Sequence, residues 1–418
     1  MLFGSSGIRQ NFAQPLLSLS PLVGSAVAVD AKKVILGTDS RTSRNILAEG
    51  VISGLIASGA EVIFGEICPT PTVAVNASNA DAGVMITASH NPENYNGIKL
   101  FRTDGSSYTL AQQAEIEKRI EQPKLAEWNK LGSCVKSDLT AYHKKLIESR
   151  VDIPEKMTVV VDCANGAGGR VTPFVLESNG AKVIPINCDP SGKFARPSEP
   201  LEKNLLHVQS LMKKVDADCA VVNDGDADRM MCFDNRGRYV DGDRLLMLFA
   251  KYLGADKVVT TVDASMAIEE IAEVHRTPVG DSFVSEELIS WGKFGGEPSG
   301  SWVFPKHSLC PDGPYAAALF TEISSEWNVA EELDKMPRYT ILRDAVATAK
   351  GKEILSALGA ENSTDGVRIE NENGWYLIRA SGTEPKVRCT AEGKTLESAK
   401  HMLNIGMSAI KKAVSETK

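Results

Sequence analysis

The sequence predicts an α/β protein made of three α/β domains in series, followed by a smaller α+β domain at the C-terminus. Three observations predict it. Apolar strand-like runs alternate with helical patterns, as in a sheet flanked by helices. The same unit recurs along the chain, and GAKVIPIN (180–187) echoes GAEVIFGE (59–66). After Pro337 the pattern changes to strands typical of an antiparallel sheet.

The first unit reads as strand KKVILGTD, a helix with an apolar face from Ile46 to Ser58, then strands AEVIFGE and DAGVMITAS. The second opens on TVVVDCANGAGG, in which the glycine cluster reads as a strand-to-helix turn, and continues through a helical stretch to GAKVIPIN. A third runs from the helical DRLLMLFAKYL through KVVTTVDAS to IAEVHRTPVGD. In the last part YTILRDAV, GVRIENENGWYLIRAS and KVRCTAEG read as strands, with a hairpin at Asn373-Gly374 and a helical tail from Thr395. The expected boundaries are 1–140, 141–241, 242–336 and 337–418. Short linkers and the absence of low-complexity segments imply four parts packed around shared clefts.

Composition narrows the function. A net charge of −8 argues against nucleic-acid binding, which needs a cationic surface. No apolar run reaches the roughly 20 residues that span a bilayer, and MLFGSSGIRQ does not read as a secretory signal, so a cytoplasmic protein without membrane contact is expected. The eight cysteines form no CxxC pair or zinc-ligand spacing and are expected to be buried thiols.

Four stretches carry residues suited to chemistry. In TASHNPENYNGIKL (87–100), Ser89 stands where a strand ends and Pro92 stops regular structure. Such a serine can act as a nucleophile or phosphoryl carrier beside a base or cation, with His90 and Lys99 as candidates. A turn whose Ser and Asn bond their own backbone is the other reading. In VVNDGDADRM, Asp224, Asp226 and Asp228 follow a strand and supply the oxygen ligands that Mg²⁺ needs. The loop is not an EF-hand, because its sixth position is Arg229 and its twelfth Asn235. Arg229 adds a fixed cation suited to a phosphate. In FGGEPSGSW, Glu297 and Ser299 can hold vicinal hydroxyls or simply form a turn. In RASGTEPKVR, Arg379, Ser381 and Thr383 around Gly382 make a plausible phosphate cradle, without the Walker pattern of a nucleotide site.

In this order, with one motif in each expected domain, these loops resemble the α-D-phosphohexomutase family. The resemblance extends from SGIR (6–9) through the last domain. It implies three α/β/α sandwich domains and a C-terminal domain like the TATA-box-binding protein around a central cleft. It also implies that Ser89 is carried as phosphoserine and that Asp224, Asp226 and Asp228 hold Mg²⁺ together with the Ser89 phosphate. Lys99 matches a lysine near the reacting oxygen, a proton carrier, while Arg9 and Arg229 match cleft arginines. Glu297 and Ser299 match the pair that grips sugar hydroxyls. Arg379, Ser381, Gly382 and Thr383 match the loop that holds the phosphate not reacting.

The implied reaction interconverts hexose 1-phosphate and 6-phosphate through a 1,6-bisphosphate, which serves as intermediate and activator. GEPSG is most similar to archaeal-type members acting on glucosamine phosphate, with phosphomannomutase/phosphoglucomutase as the alternative. Ser301 stands where many relatives have histidine, so that contact is expected to be missing or supplied by His307 or Lys306. A monomer or homodimer is expected. A Mg²⁺-dependent sugar phosphatase would leave the serine loop unexplained, and a non-catalytic sugar-phosphate-binding protein would give Ser89 no role.

Overall fold

A computed structural model of the chain describes residues 2–4, 6–154, 156–360, 365–380 and 385–416. Among them four sheets follow one another along the sequence. The first is built from β1 (Phe3–Gly4), β2 (Gly7–Asn11), β3 (Lys33–Thr38), β4 (Glu61–Ile67), β5 (Ala82–Ile86), β6 (Tyr95–Phe101) and β7 (Ser133–Lys136), ordered β1-β2-β6-β5-β3-β4-β7. Helices α1 (Gln14–Val27), α2 (Arg44–Ala57), α3 (Thr70–Asn76) and α4 (Leu110–Ile120) accompany it, and α5 (Thr140–Glu148) leads to the next sheet.

That second sheet contains β8 (Thr158–Asp162), β9 (Lys182–Ile186), β10 (Cys219–Asn223), β11 (Met230–Phe233) and β12 (Tyr239–Val240) in the order β12-β11-β10-β8-β9, with α6 (Thr172–Ser178) and α7 (Leu206–Val215). After α8 (Gly242–Tyr252), the third holds β13 (Lys257–Thr261), β14 (Glu273–Thr277), β15 (Phe294–Glu297) and β16 (Ser301–Val303), ordered β14-β13-β15-β16. Helices α9 (Asp281–Leu288), α10 (Gly313–Glu326) and α11 (Val329–Lys335) complete that part. The fourth sheet is antiparallel, with β17 (Thr340–Ala347), β18 (Val367–Asn371), β19 (Gly374–Ala380) and β20 (Lys386–Gly393) ordered β17-β20-β19-β18, and it packs with α12 (Gly351–Ala357) and α13 (Leu396–Glu416).

One device recurs in the first three sheets. A strand paired in parallel on one side, β5, β10 or β15, turns back at once into an antiparallel neighbour, β6, β11 or β16. Antiparallel neighbours accept a short connection whereas parallel ones need a long crossover. The short connections therefore leave the C-terminal ends of central strands, where α/β sheets place their ligand sites. Every residue of β5, β10 and β15 is buried, so these strands read as apolar runs rather than alternating ones.

The second and third sheets share one core, in which Val159, Val161 and Met230 join Phe249, Phe294 and Trp302. A small cluster joins Ile35, Met85 and Phe101 of the first part to Cys310 of the third. The C-terminal part has its own core, including Ile354, Ile378, Met402 and Ile410. Its link to the third part is largely polar: buried Glu392 accepts from Ser265 Oγ at 2.5 Å and Met266 N at 2.8 Å, and Arg368 Nη1 donates to Val262 O at 2.5 Å.

Two local expectations change. The hairpin tip is Glu372-Asn373, because Gly374 already pairs with Asn371 in the ladder. Glycine is needed there for close approach, since its φ is +147° and a Cβ would meet Glu392 O at 2.0 Å. All eight cysteines are free, but Cys134 is exposed and Cys188 half-buried. Cys134 lies on β7, an edge strand exposed at every residue. Among the described residues no helix is long and apolar enough to cross a membrane.

Candidate active site

The loop after β5 carries Ser89 at φ +50°, a left-handed conformation that side chains other than glycine rarely adopt. Its N–H donates to Thr87 Oγ1 at 2.8 Å. Gly97 on β6 lets this loop lie close, because a Cβ there would meet Ile8 O at 2.0 Å and Thr87 O at 2.8 Å. The Ser89 hydroxyl thereby faces the loop after β10, 3.2 Å from Asp224 Oδ2 and 3.4 Å from Asp228 Oδ1.

In that second loop, Ala227 at φ +57° turns the chain so that Asp224, Asp226 and Asp228 converge. One oxygen from each lies within 4.8 Å of the others, and all three residues are buried. Lys99 of β6 reaches across, with Nζ 3.2 Å from Asp226 Oδ2 and 2.5 Å from Asp228 Oδ2. Burial alone would lower the lysine's pKa, but these two carboxylates hold it above the usual range. Burial, with Asp228 and Asp226 nearby, pushes Asp224 well up, and burial with Asp226 raises Asp228. Asp226 goes the other way: burial opposes ionisation, but Lys99 and the Thr70 hydroxyl outweigh it. Its Oδ1 is buried without a hydrogen-bond partner among the described residues. Three converging carboxylates with an unused oxygen fit a hard divalent cation such as Mg²⁺.

Two arginines and a histidine border these groups. Arg229 is largely buried, its Nε has no partner among the described residues, and its Nη1 lies 3.6 Å from Glu199 Oε1. A buried guanidinium with an unused donor is suited to an anion. Arg9 on β2 is half-buried and near enough to act on His90, Lys99 and Asp226 electrostatically. His90 Nδ1 lies 3.4 Å from Ser89 Oγ, and burial with Arg229 and Arg9 lowers its pKa to about 2. The ring is neutral at pH 7. Beside it, a cavity of about 950 Å³ opens between His90, Pro92 and Glu93 on one side and Phe194, Arg196 and Lys203 on the other.

Glu297, at the end of β15, is buried and accepts from Gly280 N at 2.9 Å. Burial and the neighbouring Asp281 raise its pKa to about 8, against the pull of Arg229. Ser299 is exposed in the following turn. Arg379, near the end of β19, pairs with Asp365 at 2.8 Å and lies 3.9 Å from Asp263 of the third part. Asp365 also accepts the N–H of Val279, next to the glycine that holds Glu297. Ser381, Gly382 and Thr383 lie outside the described residues.

His307, one candidate for the contact expected at Ser301, lies in a buried network. Its ring is buried against Tyr315, with centroids 4.0 Å apart, and Nε2 lies 2.9 Å from Asp312 Oδ2. His143 Nε2 reaches the same oxygen at 2.8 Å, and its Nδ1 meets Thr72 Oγ1 at 2.8 Å. This buried network ties α5 and α3 to the start of α10. There Gly313 N donates to Ala227 O at 3.1 Å, and a Cβ on Gly313 would meet that oxygen at 2.7 Å.

Several residues around the site escape sequence reasoning. Thr70 holds Asp226 by two bonds, N–H to the carbonyl at 2.9 Å and Oγ1 to Oδ2 at 2.6 Å. Asp39, Arg41 and Thr87 form a buried group beneath the serine loop. The only signal was DSR directly after the strand ILGT, a polar strand end like those of the other site loops.

The phosphoglucomutase/phosphomannomutase family matches in four consecutive pieces: alpha/beta/alpha domain I over residues 1–127, domain II over 140–237, domain III over 241–339 and the C-terminal domain over 341–404. The chain belongs to this family. As a phosphohexomutase it is an intramolecular phosphotransferase. It is 41% identical to a probable phosphoglucosamine mutase of Methanocella arvoryzae, covering 99% of this chain and 98% of that protein. A probable phosphoglucosamine mutase of Pyrococcus furiosus is 39% identical over 100% of this chain and 99% of its own.

Solved phosphohexomutases have the same fold. A phosphoglucomutase/phosphomannomutase family protein of Burkholderia thailandensis superposes with a TM-score of 0.86 at 23% identity, covering 99% of this chain and 97% of its own. An N-acetylphosphoglucosamine mutase of Aspergillus fumigatus, crystallised with GlcNAc-6P and magnesium, gives 0.59 at 16% identity, covering 99% and 96%.

Proposed function

We propose that this phosphohexomutase is a phosphoglucosamine mutase, interconverting glucosamine 6-phosphate and glucosamine 1-phosphate through a phosphoserine at Ser89. The observation that carries the site assignment is the approach of Ser89 Oγ to Asp224 and Asp228 across two domains, at 3.2 and 3.4 Å. The sugar rests on the names of relatives about 40% identical over nearly the whole chain.

In the first half-reaction the bond from phosphorus to Ser89 Oγ breaks, and a bond to the free hydroxyl of the hexose phosphate forms. The hydroxyl proton passes to a basic group at the site, for which the carboxylates are candidates. The resulting 1,6-bisphosphate turns over and returns its other phosphoryl group to Ser89, so phosphate is neither gained nor lost. Asp224, Asp226, Asp228 and the Ser89 phosphate would hold Mg²⁺, which would supply positive charge to the transferring oxygens.

The chain's own residues do the rest. Lys99 keeps a fixed cation beside the serine, and Arg229 offers its unused Nε donor to a phosphate oxygen. Glu297, made protic by burial, can both donate to and accept from sugar hydroxyls. Arg379 holds the distal phosphate, a reading supported by its place between Asp263 and Asp365 at the junction of the last two parts.

The test is to assay purified protein, with Mg²⁺ and a trace of hexose 1,6-bisphosphate, against the 1-phosphates of glucosamine, glucose and mannose. The proposal expects the highest kcat/KM for glucosamine 1-phosphate. A higher value for either other sugar overturns the sugar assignment, and release of free phosphate without positional exchange overturns the mutase.

A further inference from the structure

Arg41 is 1% exposed, and every N–H of its guanidinium is used. Nε donates to Asp39 Oδ2 at 2.9 Å. Nη1 donates to Pro92 O at 2.5 Å and Tyr95 O at 2.9 Å, and Nη2 to Ser89 O and Asn91 O, each at 2.7 Å. The plane is closed from the second part by Phe194, whose ring centre lies 5.1 Å from the guanidinium carbon. Asp39 also accepts from Thr87 Oγ1 at 2.7 Å, and that oxygen takes the Ser89 N–H at 2.8 Å. Ser89 is therefore held from both sides of its peptide, N–H by Thr87 and C=O by Arg41.

We propose that Arg41 is a positioning residue for phosphoryl transfer, clamping the backbone carbonyls of the 89–95 loop so that Ser89 stays left-handed with its hydroxyl toward Asp224 and Asp228. The proposal rests on the reading that Ser89 carries the phosphoryl group.

Three features favour it over an ordinary buried ion pair. An ion pair needs only Asp39, whereas this guanidinium also spans three carbonyls of the serine loop and that of Tyr95, where β6 begins. A left-handed non-glycine residue persists only where its surroundings over-determine it. The Ser89 carbonyl is buried and needs a donor, and a planar fork with five N–H groups reaches it together with the Asn91, Pro92 and Tyr95 carbonyls and Asp39, where an ammonium with three cannot. The clamp grips backbone rather than the serine side chain. It therefore holds the loop alike in the free and phosphorylated enzyme, and Arg41, with no donor left over, is not another phosphate ligand.

The test uses full-length protein with Mg²⁺ and glucose 1,6-bisphosphate, comparing wild type, Arg41→Lys, Arg41→Ala and Ser89→Ala. A misplacement of about 1 Å at a reacting atom lowers turnover about 100-fold, so Arg41→Lys is expected to lose about that factor in kcat with KM within about threefold. Phosphoryl loading, followed by intact mass, should slow in proportion. Added guanidinium should restore turnover to Arg41→Ala and do nothing for Ser89→Ala. Melting curves show whether each variant is folded at the assay temperature.

The clamp is refuted if Arg41→Lys keeps kcat within about threefold of wild type. It is also refuted if folded Arg41→Ala loses turnover without guanidinium rescue, or if the loss lies in KM. With Ser89→Ala inactive and unloaded, such results remove only the clamp. If Ser89→Ala still turns over, the phosphoserine reading falls first and the clamp with it.

Discussion

Thr70 Oγ1 donates to Asp226 Oδ2 at 2.6 Å, while Thr70 N–H donates to the Asp226 carbonyl at 2.9 Å. A residue at the start of a helix in the first part thus fixes both the main chain and the side chain of a carboxylate in the second. The other carboxylate oxygen, Oδ1, is left without a partner among the described residues. Thr70→Val should therefore weaken Mg²⁺ activation about 10- to 100-fold, the range for groups that orient metal ligands, whereas Thr70→Ser should stay near wild type. Titrating turnover with Mg²⁺ checks it, and equal Mg²⁺ dependence in wild type and the valine variant would reject Thr70's role.

Ser89→Ala should abolish turnover but leave sugar-phosphate binding within about tenfold of wild type, because the serine carries the phosphoryl group and other loops hold the substrate. Calorimetric binding and intact mass check the two halves. The variant should show no phosphoryl adduct after incubation with bisphosphate.

Asp243 should govern part of the pH dependence of stability. It is half-buried at the junction with the C-terminal part, accepts from Ser265 N at 2.7 Å, and faces Asp241, Glu392 and Asp263. Burial, reinforced by those three acids, raises its pKa from 3.8 to about 7. A carboxyl raised on folding contributes stability that is fully present below its unfolded pKa and is lost as pH rises through the folded value. That loss runs from about pH 4 to above pH 7. Asp243→Asn keeps an acceptor but cannot ionise, so it should melt higher than wild type at pH 8 and show no such gain at pH 4. Equal differences at the two pH values would contradict this.

Arg379→Ala should raise KM for hexose phosphate by tenfold or more, about the worth of one charge-assisted contact to phosphate, with a smaller change in kcat. The C-terminal part has its own core and meets the third part mostly through polar groups, so its position can change without opening an apolar interface. Small-angle scattering with and without a sugar-phosphate analogue should report closure. An unchanged profile together with an unchanged KM would reject both the grip and the motion.

The sequence by itself determined the four-part order, the strand runs and the loops in which chemistry-bearing residues sit. Fully buried strands leave continuous apolar runs, and a loop that breaks off such a run with Ser89 and Pro92, or with Asp224, Asp226 and Asp228, is visible as local pattern. Asn373-Gly374 misled by one residue because the glycine answers to the nearby β20 carbonyl, a neighbour 18 positions away in sequence. Only tertiary structure decided the partners. Thr70 meets Asp226, His143 meets Asp312, and Arg41 gathers the carbonyls of Ser89, Asn91, Pro92 and Tyr95, each across a separation no periodicity records. It also placed His307 in a buried junction with His143 and Asp312. The physical reason is that local pattern encodes which backbone segment is buried and where it turns, whereas a buried polar group must find its partner wherever the packed chain brings one within about 3 Å.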